Sequence, residues 1–230
     1  MSRRSHALVL RSSFLLLLVA GGLIGPEALA QRVRFGLEAG FSSISHRYSE
    51  VPDTWDLLFR TSYSVMTFAD IDTRSDLDFQ VGVRFVPLGA AYDYSAEVPE
   101  EPGSSQNILR EGTITITQQY LFFSLRARYQ IGTTPLYAIA GPELGFLLDA
   151  SLEQDEQVPE PVLTNSNIDP QINGVNTTLG GGLGVRRPLG KLQVYTQAMV
   201  LLGLQDVPQE QYWARTWRTR ELTLLVGLVL

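Results

Sequence analysis

Cysteine is absent from the 230 residues. That excludes a disulfide scaffold, a thiolate zinc site and a cysteine nucleophile. Lysine and histidine are nearly absent: Lys191 is the one lysine, and His6 and His46 are the two histidines. Lys and Arg together number 18 against 24 acidic residues, a formal charge of −6. Phosphate binding along a duplex needs the opposite surplus, so nucleic acid is excluded as a partner. Charged residues make up only 18% of the chain, which is sparse for a soluble enzyme. No apolar run reaches the about 20 residues that a membrane-spanning helix requires. A mean hydropathy of +0.03 is also too low for a bundle of such helices.

What is present begins with an address. Arg3, Arg4 and Arg11 form a positive n-region, residues 14–24 are an apolar stretch, and Ala28-Leu29-Ala30 is a small-residue cleavage site preceded by Pro26. This is the pattern of a secretory signal peptide. His6-Ala7 follows the Arg pair where a twin-arginine signal would place an apolar pair, which favours ordinary Sec export. Residues 1–30 are therefore expected to be removed after Ala30, leaving a single domain over residues 31–230. That mature chain keeps 15 basic and 23 acidic residues, with His46 its one histidine. An exported chain without cysteine must be stabilised by something other than disulfides.

Period-two alternation recurs through the mature chain, the signature of strands with two different faces. Val33, Phe35, Leu37, Ala39 and Phe41 open it, and Leu222, Leu224, Val226, Leu228 and Leu230 close it. Six further strands are expected over residues 57–71, 76–92, 113–130, 135–148, 175–187 and 191–204, with Pro87 to Gly89 a candidate bulge. Three connections are short and rich in turn residues: 72–75, 132–134 and 188–190. Four are long: 43–56, 93–112, 149–174 and 205–217. Alternation of long and short connections between eight strands predicts an all-β fold, an eight-stranded antiparallel up-and-down transmembrane β-barrel with long extracellular loops.

The minority face sets the orientation of such a barrel. It holds Glu38, Arg84, Arg126, Arg128, Glu143, Arg186, Gln193, Gln197 and Glu221, interleaved with Gly and Ser. A soluble surface would carry Lys or Glu at nearly every second position. A narrow lumen of eight strands, just wide enough for side chains to fill it, suits glycines beside Arg and Tyr. Arg126 and Arg128 are expected to pair there with Glu143 and Glu38, because an unpaired buried charge is costly. The apolar parity then faces lipid, where closure of the sheet satisfies every backbone group. Aromatic girdles are expected from Phe35, Phe79 and Tyr129 at one interface and Phe41, Trp55, Trp213 and Trp217 at the other.

Several segments carry a family resemblance. They are residues 35–41 (FGLEAGF), 122–129 (FFSLRARY), 135–145 (PLYAIAGPELG), the Gly-rich run 179–185 and the final strand 222–230. Together they resemble the outer-membrane β-barrel domain family labelled porin-like or PorT-like, akin in architecture to OmpA- and OmpX-type eight-stranded barrels. The chain departs from such barrels in ending on Gly227-Leu228-Val229-Leu230 rather than on an aromatic. The resemblance implies location in the cell outer membrane, with membrane lipid, lipopolysaccharide and the barrel assembly machinery as partners and protein partners at the outer loops. The function expected is that of a non-enzymatic structural, adhesive or interaction barrel. Alternatives are porin-like transport of small solutes, a secretion-associated barrel, and a lipid-modifying or proteolytic enzyme at the rim.

The enzymatic alternative would centre on His46 with Ser42, Ser43 or Ser45 and with Asp53 or Asp56. A triad is recognised by geometry and not by local abundance of its residue types, so a solvated loop histidine is the expectation and no catalytic residue is assigned. The long connections are acidic, through Asp93, Glu97, Glu100, Glu101, Glu111, Asp149, Glu153, Asp155, Glu156, Glu160 and Asp169. They lack the D-x-D-x-D-G spacing of a calcium loop, so no metal or cofactor is expected. Gly180 to Gly184 lies within a strand pattern, with no following helix or Lys, and is not a nucleotide loop.

Overall fold

A computed structural model describes residues 32–48, 55–99, 107–154, 173–206 and 217–230. The leader and parts of the four long connections, including Asp53 and Trp213, lie outside the described residues. Among the described residues nine strands are present: β1 (Arg32–Tyr48), β2 (Trp55–Leu58), β3 (Arg60–Asp72), β4 (Leu77–Pro99), β5 (Asn107–Gln130), β6 (Leu136–Gln154), β7 (Val175–Leu189), β8 (Leu192–Gly203) and β9 (Trp217–Val229). β2 and β3 are two pieces of one stave, interrupted at Phe59, and both pair with β4. The sheet runs β4-β3-β1-β9-β8-β7-β6-β5 and closes through β4–β5 pairing, so eight staves form a closed antiparallel barrel. Closure leaves no edge along the wall, which is what replaces disulfides in this chain.

The stagger of the wall follows from its register. Leu222 pairs with Val200, then Gly181, Ala140, Ala127, Phe79, Ile71 and finally Val33. Val33 lies three residues before Gly36, the partner of Val229. One circuit thus shifts about ten residues along a strand, which for eight strands corresponds to a tilt of about 40°. The short connections differ in their chemistry. Asp72 Oδ1 accepts from the Arg74 amide at 2.9 Å, and Arg74 stands at φ 59°. Gly132 and Gly190 take the left-handed positions of the other two turns, at φ 58° and 65°.

Several strands run further than the sequence pattern predicts. β1 continues to Tyr48, so His46 is a strand residue opposite Thr219 and not a loop residue. β4 and β5 pair without interruption up to Pro99 and Asn107, and β6 reaches Gln154. Asp93, Asp149 and Glu153, expected in loops, therefore stand on strands. The reason is physical: a hairpin keeps its backbone pairing beyond its outward apolar rows, because each strand there still has the other as partner for its N–H and C=O groups. Near the expected bulge, Gly89 sits at φ 147°, the neighbouring stave is broken at Phe59, and the β5–β6 register slips between Gln119 and Tyr120.

Burial is inverted relative to a soluble protein. Phe41 is 72% exposed and Leu224 59% exposed, whereas Arg84 and Arg126 are each 1% exposed. Outward rows of Val, Leu, Phe and Tyr girdle the barrel on every stave. Phe35, Phe41 and Tyr129 are exposed and Phe79 is half-buried. The Trp55 and Trp217 side chains lie outside the described set. Inside, Tyr137, Tyr195, Phe68 and Met66 pack with Ile139, Met199, Leu201, Leu225 and Val229. A second apolar cluster, Ile44, Val86, Leu88, Tyr120 and Phe122, fills the lumen toward the long connections.

Candidate functional site: the charged lumen

The inward parity of each strand delivers its polar residues to one axis. Arg84 (β4), Arg126 (β5), Glu143 (β6), Glu221 (β9) and Glu38 (β1) meet at mid-height from five different strands. Arg84 Nη2 lies 2.7 Å from Glu143 Oε2, and Arg84 Nη1 lies 2.8 Å from Glu221 Oε1. Arg126 bridges Glu38 at 3.0 Å and the second oxygen of Glu143 at 2.9 Å. Neutral donors occupy the remaining carboxylate lone pairs. Ser124 donates to Glu143 at 2.8 Å and Ser42 to Glu221 at 2.6 Å. Tyr195 and Gln197 donate to Glu38 Oε2 at 2.8 and 2.7 Å. Tyr137 donates in turn to Gln197 Oε1 at 2.9 Å. The Arg84 guanidinium also lies 5.0 Å from the centre of the Phe122 ring, within cation–π range.

A second ionic cluster sits toward the short turns. Arg128 Nη2 contacts Asp70 Oδ1 at 2.6 Å and Asp78 Oδ2 at 3.2 Å. Arg34 reaches the other Asp70 oxygen at 3.1 Å, and Arg186 reaches Asp78 at 2.9 Å. Across both clusters five guanidinium groups face five carboxylates, so the two clusters together are neutral. That balance is what allows so many charges to be buried together: each is paired, and the three glutamates accept further bonds from Ser124, Ser42, Tyr195 and Gln197, without which desolvation would dominate.

All four residues expected in the lumen lie inside the barrel, and the structure brings three of them together. Arg126 joins Glu38 to Glu143. Arg128 does not pair with either glutamate: it lies two residues closer to the short connections, where its cross-strand partner Asp78 on β4 and Asp70 on β3 meet it from the same side. Sequence reasoning placed Arg84 and Glu221 on the polar face without partners, and passed over Asp70, Asp78, Tyr137 and Tyr195 as members. Parity carried that signal, because Asp70 and Asp78 alternate with outward apolar neighbours just as Glu38 does. Gln193 and Gln197 share the inward face as expected.

The glycines on this face make room for rings. A Cβ on Gly227 would fall inside the ring of Tyr195, its direct cross-strand partner, and one on Gly184 inside that of Tyr137. The Gly-rich run of β7 thus relieves crowding. Not every buried polar atom is satisfied: within the clusters the Nε atoms of Arg34, Arg126 and Arg128 have no partner, and toward the long connections Gln118 and Asn176 each bury both amide atoms without one, as Thr178 and Thr219 do their hydroxyls.

Chemically, the lumen sets serine hydroxyls against carboxylates, Ser42 on Glu221 and Ser124 on Glu143. Its carboxylates are all held by guanidinium groups, and among the described residues no group of three or more His, Cys, Asp and Glu side chains could hold a metal ion. Ser42 points inward to Glu221, and Ser43 is exposed on the opposite face. These two serines therefore cannot serve one rim site. The side chains of His46 and Asp56 lie outside the described set.

No protein-family model matches the chain, and no curated protein matches it. Among solved structures it is similar to Neisserial surface protein A, at 15% identity over 84% of this chain and 95% of that one, with a TM-score of 0.45. It is similar also to Ail, the attachment invasion locus protein of Yersinia pestis, at 10% identity over 86% and 98%, TM-score 0.37. The outer membrane protein OprG from Pseudomonas aeruginosa gives 12% identity over 86% and 95%, TM-score 0.34. At such identities the likeness is one of fold, and the barrel itself is defined by its own strand register.

Proposed function

We propose that this chain is an outer-membrane barrel, exported by the Sec route with cleavage after Ala30, that works as a non-enzymatic structural, adhesive or interaction protein through its long connections. The observation that carries this reading is the inversion of burial. Ten charged side chains face a closed interior, while the apolar rows face out. In water the exposed rows would be a large aggregation liability; in lipid they are the solvated surface. On β1 the row from Val33 to Phe41 spans roughly 20 Å at about 3.3 Å per residue and a tilt of about 40°. That is close to the apolar band of about 25 Å in such barrels.

A porin-like role is disfavoured by the same interior. Arg84, Arg126, Tyr120, Tyr137 and Phe122 are among the largest fully buried side chains, and they occupy the axis that a solute would need. Membrane lipid, lipopolysaccharide and the assembly machinery are the partners this reading brings with it, with protein partners at the outer end.

Two measurements test the proposal. The folded protein should partition with detergent or vesicles and migrate faster on a gel before boiling than after. In a planar bilayer it should show no reproducible unitary openings. Recovery of folded protein from the soluble fraction without detergent would refute the membrane reading, and stable conductance would overturn the closed-lumen reading.

A further inference from the structure

We propose that the outer rim where β9 meets β1 is a docking site for the phosphate groups of an outer-leaflet glycolipid; this rests on the membrane reading above. The outward row of β9 reads Val226, Leu224, Leu222 and then Arg220 and Arg218, all exposed. Arginine on a lipid-facing row is tolerated only where the hydrocarbon gives way to headgroups. The switch from Leu222 to Arg220 therefore marks that level on this stave.

Register assembles the rest of the patch. Ser45 is the β1 partner of Arg220, Ser43 that of Leu222, and position 47, an arginine, is that of Arg218. Two arginines directly opposite each other on a sheet repel unless an anion lies between or beside them. The acids nearby do not remove the surplus. Asp206 accepts from Arg218 Nε at 3.2 Å, in a pair that is more than one-third exposed on both sides. Glu221 points inward and belongs to Arg84. Arg220 has no acidic partner among the described residues.

The geometry selects the ligand. Guanidinium forks match the oxygens of a phosphate monoester, and the Ser43 and Ser45 hydroxyls supply neutral donors beside them. Leu222 and Leu224 continue the row below the arginines, with Leu202 beside Arg220 on β8, and offer a path for acyl chains. A headgroup phosphate attached to acyl chains satisfies both halves of the patch, and free phosphate satisfies only one.

The test uses the purified full-length barrel in neutral detergent micelles, with native mass spectrometry as readout. The probes are diphosphoryl lipid A, the same lipid with both phosphates removed, and inorganic phosphate. The wild type should retain diphosphoryl lipid A at least tenfold more tightly than the dephosphorylated lipid. The double variant Arg218→Gln/Arg220→Gln should lose at least tenfold of that binding. Arg187→Gln, an exposed arginine at the opposite rim, should bind like the wild type. Equal binding of both lipids, or undiminished binding by the double variant, would overturn the proposal. Competition by inorganic phosphate at concentrations equal to the lipid would assign the site to a free anion and overturn the lipid source. Heat-modifiable migration of each variant reports separately that the barrel is folded in micelles, so a failure of the membrane reading is told apart from a failure of this site.

Discussion

Arg84 on β4 and Glu221 on β9 form a 2.8 Å ion pair across the lumen, although two staves, β3 and β1, separate their strands in the wall. The same guanidinium holds Glu143 on β6. Backbone pairing joins neighbours only, so this side chain ties together parts of the wall that the sheet itself connects indirectly. Replacement Arg84→Met should leave Glu221 with only the Ser42 hydroxyl and cost about 3–5 kcal/mol. The double replacement Arg84→Met/Glu221→Met should recover a large part of that loss, because the uncompensated charge is gone. Urea unfolding of the barrel in vesicles, followed by gel migration, measures both. A single variant that loses less than about 1 kcal/mol would show that the pair does not stabilise the fold.

How much of this was legible follows from period two. Parity alone placed Glu38, Arg126 and Glu143 on one face, and the rhythm of connections gave the antiparallel order. The pairing of Arg126 with both glutamates was legible, and the partners of Arg128 were not. The stagger of the barrel displaces each strand against the next, so Arg128 faces Asp70 and Asp78 instead of the glutamates one layer away. The extension of β4, β5 and β6 was hidden for a different reason. Beyond the outward apolar rows the alternation changes parity: on β4 the apolar residues move from Phe79, Val81, Val83 and Phe85 to Leu88, Ala90, Tyr92 and Tyr94, and a pattern that switches face reads as the end of a strand.

The Tyr195–Gly227 pair leads to a second expectation. The ring occupies the space that a Cβ at position 227 would need, and its hydroxyl must still reach Glu38 at 2.8 Å. Gly227→Ala should destabilise the barrel by about 1–3 kcal/mol through overpacking. Tyr195→Phe should not relieve the clash, since the ring remains. Tyr195→Leu in the Gly227→Ala background should cost less than the sum of the two single changes. Additive costs in the same unfolding assay would separate the ring from the glycine.

Gln118 buries a complete amide without a partner. Its cross-strand neighbours are Leu88 and Ala150, so an apolar side chain of similar size fits the surroundings. Gln118→Leu should leave stability unchanged or raise it by about 1 kcal/mol, because the desolvation cost of the amide disappears. A loss of more than about 1 kcal/mol would mean that the amide is satisfied in the folded barrel.

Leu183 and Leu189 share the outward row of β7, 62% and 66% exposed, but stand at different heights. Leu183 pairs with Ala138 and Ala198 in the middle of the apolar rows, and Leu189 adjoins the short turn at Gly190. In water, arginine at either position would be a neutral or solubilising surface change. In a bilayer the two differ: Leu183→Arg should cost about 2–4 kcal/mol and Leu189→Arg about 0–1 kcal/mol. Equilibrium unfolding from vesicles gives the contrast directly, and one strand serves as its own control for local strand propensity. Equal costs at both positions would place the outward face in a medium without depth, which a membrane is not.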